Sequence, residues 1–344
     1  MITLMLNGQQ TEFTGDKKTS LLTFLREEKG ITSAKDGCSG QAACGACLVE
    51  VGRKAALACA TPMQKVAGQE VVTLEGLPQG LLRTLGRAFV SKGAVQCGFC
   101  TPGFLTRTKI LLENNPDPTR QEVVKAMRSH LCRCTGYVKI VDAVLEAAAA
   151  LREGREIPFE NGAGIGVSSP KYRAFDRAIG RKPFIDDLRF DGMVHGALRF
   201  SDHPRARILS IDVSSAGKAP GVIRVFTAED IPGKRSVGAI VQDWPVMIKV
   251  GETTRYIGDV LAGVVAETED QARNAAKQIH VACEVLEPLT HMTKAETSPV
   301  KIQRDGNLMF AQTICRGEPL EKVLTGSAYV ATGVLETQMV DHAF

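Results

Sequence analysis

The sequence predicts an α+β chain of several domains, and three observations carry that prediction. Apolar and polar residues alternate at the start of the chain, a helical periodicity takes over from Pro78 to Ala150, and strand-like runs return beyond a glycine-rich stretch at 154–168. The expected units are a small sheet domain at 1–76, a bundle of four helices at 77–153, a linker at 154–168 and an α/β domain at 169–290. A last segment, 301–344, reads as part of a further, larger unit.

In the first unit, "ITLMLNG" alternates as a strand does and turns at Asn7-Gly8 into a second strand. "SLLTFLREEKG" follows as a short helix, with Ser20 as its cap, Leu21, Leu22 and Leu25 facing inward, and Gly30 ending it. "CLVEVGRKAALAC" reads as a hairpin and "QEVVTLEGL" as a closing strand. The helical unit opens with "GLLRTLGRAFVSKG". Its second helix is expected to start with Thr101 as cap and Pro102 in the first turn, and its third behind a capping box of Thr119 and Glu122. "GYVKIVDAVLEAAAALREG" is the fourth, and the short links between the four indicate a compact bundle.

Gly162, Gly164 and Gly166 resemble a nucleotide loop only superficially, because no strand precedes them and no helix follows; they are assigned to the linker. Beyond it, "MVHGALRFS", "ARILSIDVSS", "VIRVFTAED" and "DVLAGVVAE" read as strands, and "TEDQARNAAKQI" as a helix capped by Thr268 with Gln271. Two further strand-like runs, "NLMFAQTICRG" and "AYVATGVLETQMVDHAF", are expected in the last segment.

Composition narrows the function classes. A chain of 344 residues with 44% apolar and 23% charged residues is an ordinary globular one. The net charge of +4 (42 basic less 38 acidic) is too mild to point to nucleic acid. No apolar span reaches the length, about 18 residues, that membrane insertion needs. The first residues show no secretory signal, so a cytoplasmic location and reduced thiols are expected for the ten cysteines. Those cysteines are clustered, which in a reducing compartment points to metal.

The first quartet is Cys38-x5-Cys44-x2-Cys47-x11-Cys59, inside the loop "DGCSGQAACGACLVE". Four thiolates can hold two irons and two sulfides, and plant-type ferredoxins place three of them in one loop with the fourth farther on. The glycines Gly37, Gly40 and Gly45 are expected to take left-handed backbone values and turn N–H groups toward sulfur. Ala42, Ala43 and Ala46 let the backbone come close. A four-cysteine zinc site is the alternative, although zinc usually takes two C-x2-C pairs. The first spacing, five residues where four is usual, is expected to lengthen the loop without changing the cluster type.

The second quartet is Cys97-x2-Cys100-x31-Cys132-x-Cys134, set just ahead of two expected helix starts, where free N–H groups stabilise anionic sulfur. For this quartet taken alone, zinc as a staple of the bundle stays open.

"GCSGQAACGACLVEV", followed by "QCGFCTPGF" and "LCRCTGY", resembles the N-terminal part of the molybdenum hydroxylases, the xanthine dehydrogenase and aldehyde oxidoreductase family. The resemblance covers 1–152 strongly. It implies a ferredoxin-like β-grasp domain and a four-helix domain, each with one 2Fe–2S cluster, ligated by the eight cysteines. Over 165–344 it is weaker: "VHGALRFSDHPRARILSIDVSSA" is similar to the family's hammerhead domain, and "VLETQMVDHAF" to the start of its molybdopterin-binding part. The resemblance implies that Gln96 contacts the pterin. It also implies that molybdopterin is held by a partner chain, a molybdopterin-binding catalytic subunit, or by a missing C-terminal part. No flavin (FAD) domain lies in this chain, so a flavin subunit or another acceptor takes the electrons. No catalytic residue is assigned.

Two rivals remain: a zinc-stabilised binding protein without redox chemistry, and a free-standing ferredoxin-like carrier. Of the histidines, His130 is expected to be a solvated or capping residue; His195, His203, His280 and His291 show no ligand spacing, and His342 is expected to pack against a missing partner. Cys283 and Cys315 are expected as buried apolar side chains in strands.

Overall fold

The computed structural model describes residues 1–158, 164–167, 169–239, 241–303 and 306–338. Part of the expected linker (159–163 and 168) and His342 lie outside the described residues. The protein is a mixed α/β chain of two compact units, the first running from Met1 to Leu188 and the second from Arg189 to Leu335.

The first unit begins with the expected hairpin, β1 (Ile2–Leu6) and β2 (Gln9–Phe13). Both turn residues are left-handed, Asn7 at φ 50° and Gly8 at φ 80°, as a two-residue hairpin turn requires. Ser20 caps α1 (Leu21–Thr23), accepting the Thr23 N–H at 3.1 Å. The helix then widens into a π-helical turn over Phe24–Glu28, a feature its periodicity does not disclose. β3 (Leu48–Val51) and β4 (Lys54–Leu57) form the second hairpin, and β5 (Glu70–Val72) enters the middle of the sheet. The strand order is β2-β1-β5-β3-β4, with β5 parallel to β1 and antiparallel to β3. Leu4, Leu21, Phe24, Leu25, Val49 and Val71 fill the space under this sheet.

Four helices follow: α2 (Gln79–Ser91), α3 (Thr101–Asn114), α4 (Arg120–Met127) and α5 (Val138–Glu153). Leu85, Phe89, Phe104, Leu105, Val123, Ile140 and Val144 pack between them. The Thr119–Glu122 capping box is present, and Gly154 ends α5 in the left-handed conformation. Thr101 is not a cap; Cys100 takes that position and Thr101 lies buried in the first turn of α3. This helix also packs against β3, where Lys109 forms a buried ion pair with Glu50. The sheet and the helices therefore share α3 as a common wall.

Residues 170–188 stay with this unit as a strap containing α6 (Ala174–Ala178). Asp187 anchors it, paired with Lys35 and, at 2.9 Å, with Arg26; all three side chains are at most 7% exposed. Phe184 stacks edge-on against Phe99 at 5.3 Å and under the Lys35 ammonium at 5.0 Å.

In the second unit the strands are β6 (His195–Phe200), β7 (Ala206–Asp212), β8 (Val222–Phe226), β9 (Ser236–Val237), β10 (Trp244–Pro245), β11 (Val260–Ala266) and β12 (His280–Val285). β11 lies between β6 and β8, and β7 pairs with β12. The helices set between these strands are α7 (Ser214–Gly217) and α8 (Glu269–Ala276), the latter packing Ala272, Ala275 and Ala276 inward. Thr268 and Gln271 cap α8 reciprocally, so Thr268→Ala is expected to cost about 1 kcal/mol. Faster amide exchange confined to Glu269–Ala276 is the readout.

The two strand-like runs of the last segment are not strands among the described residues. Residues 307–319 hold no regular element, α10 (Leu320–Gly326) follows α9 (Met292–Ala295), and 327–338 again hold none. A strand needs a neighbour for its N–H and C=O groups, and neither run finds one among the described residues. Cys315 is accordingly exposed, and Cys283, in β12, is only half-buried. No helix among the described residues is long and apolar enough to cross a membrane.

Candidate metal centres

The first cysteine loop coils tightly between Ala34 and Leu48. Ser39, Gly40, Ala42 and Gly45 have left-handed backbones, whereas Gly37, expected to be one of them, does not. Ser39 and Ala42 thus take conformations that cost a non-glycine residue roughly 1–2 kcal/mol. Gly37 answers a different need: a Cβ there would lie 3.0 Å from Cys44 Sγ and 3.1 Å from the Phe99 ring.

The outcome is the cradle the donor set requires. Cys38 sulfur receives N–H groups from Gln41, Ala43 and Cys44; Cys44 sulfur receives them from Gly37 and Ala46, and Cys47 sulfur from Cys59. Cys38, Cys44 and Cys47 are buried and Cys59 is half-buried. The thiols approach in two pairs, Cys38 with Cys44 and Cys47 with Cys59. Burial, helped by the charges of its neighbours, pushes the Cys47 thiol up to about 12, whereas at Cys38 burial is outweighed by the N–H groups of Ala43, Cys44 and Gln41, which hold that thiol below its usual value.

The second quartet pairs in the same way. Cys97 Sγ and Cys134 Sγ are 3.7 Å apart, and Cys100 hydrogen-bonds to Cys132. The Cys100 bond, with bonds from the Thr135 hydroxyl and the Cys134 and Thr135 N–H groups, holds the Cys132 thiol down to about 5. The Thr135 hydroxyl lies 3.0 Å from that sulfur. Cys97 and Cys100 precede α3, while Gly136 and Tyr137, both left-handed, turn the chain from Cys134 into α5. Cys134 is exposed. Among the described residues, no three His, Cys, Asp or Glu side chains converge as they would on a single ion. Two thiolates for each of two irons fit these paired arrangements better than one tetrahedral zinc.

Gln96 is exposed, and its carbonyl accepts from Arg177 at 3.5 Å. It lines a cleft of about 560 Å³ with Lys92, Lys139 and Lys171, to which none of the eight cysteines contributes. His130 departs from its expected solvated role. It is 2% exposed, its ring lies 4.9 Å from Phe104, and its Nε2 has no hydrogen-bond partner. Burial first, then the Arg107 charge, lowers its pKa to about 4, so the ring is neutral at physiological pH. Its burial has no sequence signal, because it arises where the cysteine loop of one domain meets the helices of the next. The same holds for Phe99 and Leu131, which pack on Cys38, Cys44 and Ala46.

Three family models match the chain: the 2Fe-2S iron-sulfur cluster binding domain over 4–67, the 2Fe-2S binding domain over 73–145, and the aldehyde oxidase and xanthine dehydrogenase a/b hammerhead domain over 179–287. Fold and cysteine sites together define an iron–sulfur protein with two 2Fe–2S binding domains ahead of a hammerhead domain. The aldehyde oxidoreductase of Megalodesulfovibrio gigas is 32% identical over 352 residues, matching 96% of this chain and 39% of its own length. The nicotinate dehydrogenase small FeS subunit of Eubacterium barkeri is 43% identical over 144 residues, 42% of this chain and 91% of that protein. Among solved structures, the aldehyde oxidoreductase from Desulfovibrio gigas superposes with a TM-score of 0.87 at 32% identity, over 96% of this chain and 39% of that one. The chain belongs to the molybdenum hydroxylase family of oxidoreductases. It spans 39% of the length of the aldehyde oxidoreductase that it matches almost throughout.

Proposed function

We propose that this chain is the electron-relay portion of a molybdenum hydroxylase, with Cys38, Cys44, Cys47 and Cys59 holding one 2Fe–2S cluster and Cys97, Cys100, Cys132 and Cys134 the other. The observation that carries the reading is the pairing of eight thiols, two by two, at two places in one compact unit. Each cluster, when bound, supplies a one-electron couple. The chain's own work is to hold the thiolates, aim N–H groups at them and exclude water.

The relay runs from the second site to the first and then to an external acceptor. The exposed Cys134, paired with the Cys97 that directly follows Gln96, suits the side facing a molybdopterin-binding subunit or domain, where Gln96 contacts the pterin. The exposed arc Ser39–Ala43 suits the exit. The molybdenum side, when its cofactor is bound, would supply the oxidation of substrate with oxygen from water. In this reading residues 1–76 are a β-grasp domain, 77–153 a four-helix domain, and 301–344 the start of a molybdopterin-binding domain.

Chain isolated anaerobically should be red-brown and carry about four irons, two for each cluster. A colourless, zinc-containing sample would reject the reading. Recovery from its native source without a molybdenum-containing partner would leave a free-standing carrier instead.

A further inference from the structure

We propose that Gly103 is a positioning residue whose contact with Gly45 fixes the separation between the two cysteine sites. The inference rests on the cluster reading above. Gly103 lies in the first turn of α3, three residues after Cys100, and Gly45 directly follows Cys44. A Cβ on Gly103 would stand 2.6 Å from the Gly45 carbonyl oxygen and 3.4 Å from Ala46 Cα. That is backbone against backbone, so no side chain can swing aside.

The Gly45 side of the contact cannot retreat easily. Its carbonyl accepts the Leu48 N–H at 3.1 Å. Behind it, the position of a Gly45 Cβ is 2.7 Å from the Ser129 carbonyl and 2.9 Å from the His130 ring, which is itself wedged against Phe104. A second tie runs beside the first: the Leu131 N–H donates to the Cys44 carbonyl at 2.9 Å, one residue before Cys132. The first tie joins the neighbour of Cys44 to a residue three past Cys100, and the second joins Cys44 itself to the neighbour of Cys132.

Nothing in the local backbone calls for glycine at 103. Its φ is not left-handed, and glycine inside a helix costs about 1 kcal/mol relative to alanine. The close approach is what requires it. A packed interior transmits an added methyl as displacement, here of one cysteine loop from the other. Electron exchange and magnetic coupling between the sites both fall steeply with distance, so both report the displacement.

The test compares the full chain, loaded at both sites, with Gly103→Ala and with Gly80→Ala, a control in the first turn of α2 where an added Cβ meets nothing within 4 Å. Each is fully reduced and its paramagnetic signals recorded at low temperature. The expected result is two signals that split one another in the wild-type chain. Gly103→Ala should keep wild-type iron and both signals with weaker mutual splitting, and Gly80→Ala should match the wild type. Unchanged splitting in Gly103→Ala overturns the proposal. Should that variant fail to load, the wild-type chain decides: both signals present without mutual splitting overturns the proposal, and splitting supports it. A wild-type chain with one signal missing counts against the cluster reading instead.

Discussion

Cys47→Ser is expected to lose one of the two paramagnetic signals of the reduced protein and to keep the other. Iron should fall from about four to about two per chain. The side chain at 47 is 2% exposed and belongs to the core under the sheet, between the cysteine loop and Cys59. A serine hydroxyl is a poor substitute there, since it does not ionise near neutral pH and burial opposes its charge. Cys59 would lose its paired sulfur, and the first site would lose two of its four donors as a working pair. The second site shares none of these residues, so Cys100→Ser should remove the complementary signal. Survival of both signals in Cys47→Ser means that the donor set is assigned wrongly.

Asp187→Ala should release the strap at 170–188. Lys35 would be left as a buried cation without its carboxylate, and Arg26 with only the exposed Asp186 at 3.9 Å, a change that typically costs about 3–5 kcal/mol. The effect is local in origin, and it is read best as tryptic cleavage after Arg181, slow in the wild type and fast in the variant; the bond after Lys182 precedes Pro183 and is not a tryptic site. Lys35→Met combined with Asp187→Asn should recover part of the protection, because it removes the stranded ammonium rather than exposing it. If Asp187→Ala is cleaved no faster than wild type, the strap is held by Phe184 and α6 without the ion pairs.

The same anchor gives a pH dependence. Burial alone would raise the Asp187 carboxyl, but bonds from Lys35, the Phe184 N–H and Arg26 together hold it below the usual carboxylate range. A depressed folded value stabilises the fold fully above the unfolded pKa, about 4, and the contribution is lost as pH falls through the lower folded value. Protection of the strap should therefore be flat from neutral pH down to about 4 and decline below it.

Local chemistry made much of this legible. The Asn7-Gly8 turn, the Ser20 cap, the capping boxes at Thr119 and Thr268 and the αL end at Gly154 all depend on neighbours within a few residues. Such devices are read from spacing. The cysteine quartets were legible for a related reason: metal chemistry restricts which spacings can place four sulfurs together.

What the sequence alone determined is the inventory: two sets of four thiols, the elements that carry them, and the class of cofactor they suit. The tertiary structure decided how those elements face one another. It buried His130, set Gly103 against Gly45, paired Lys35 with an aspartate 152 residues away, and left the described part of the strand-like runs of the last segment without strand pairing. Each of these outcomes depends on which surfaces meet once separate segments pack, and contact between distant residues leaves no period or spacing in one chain to read.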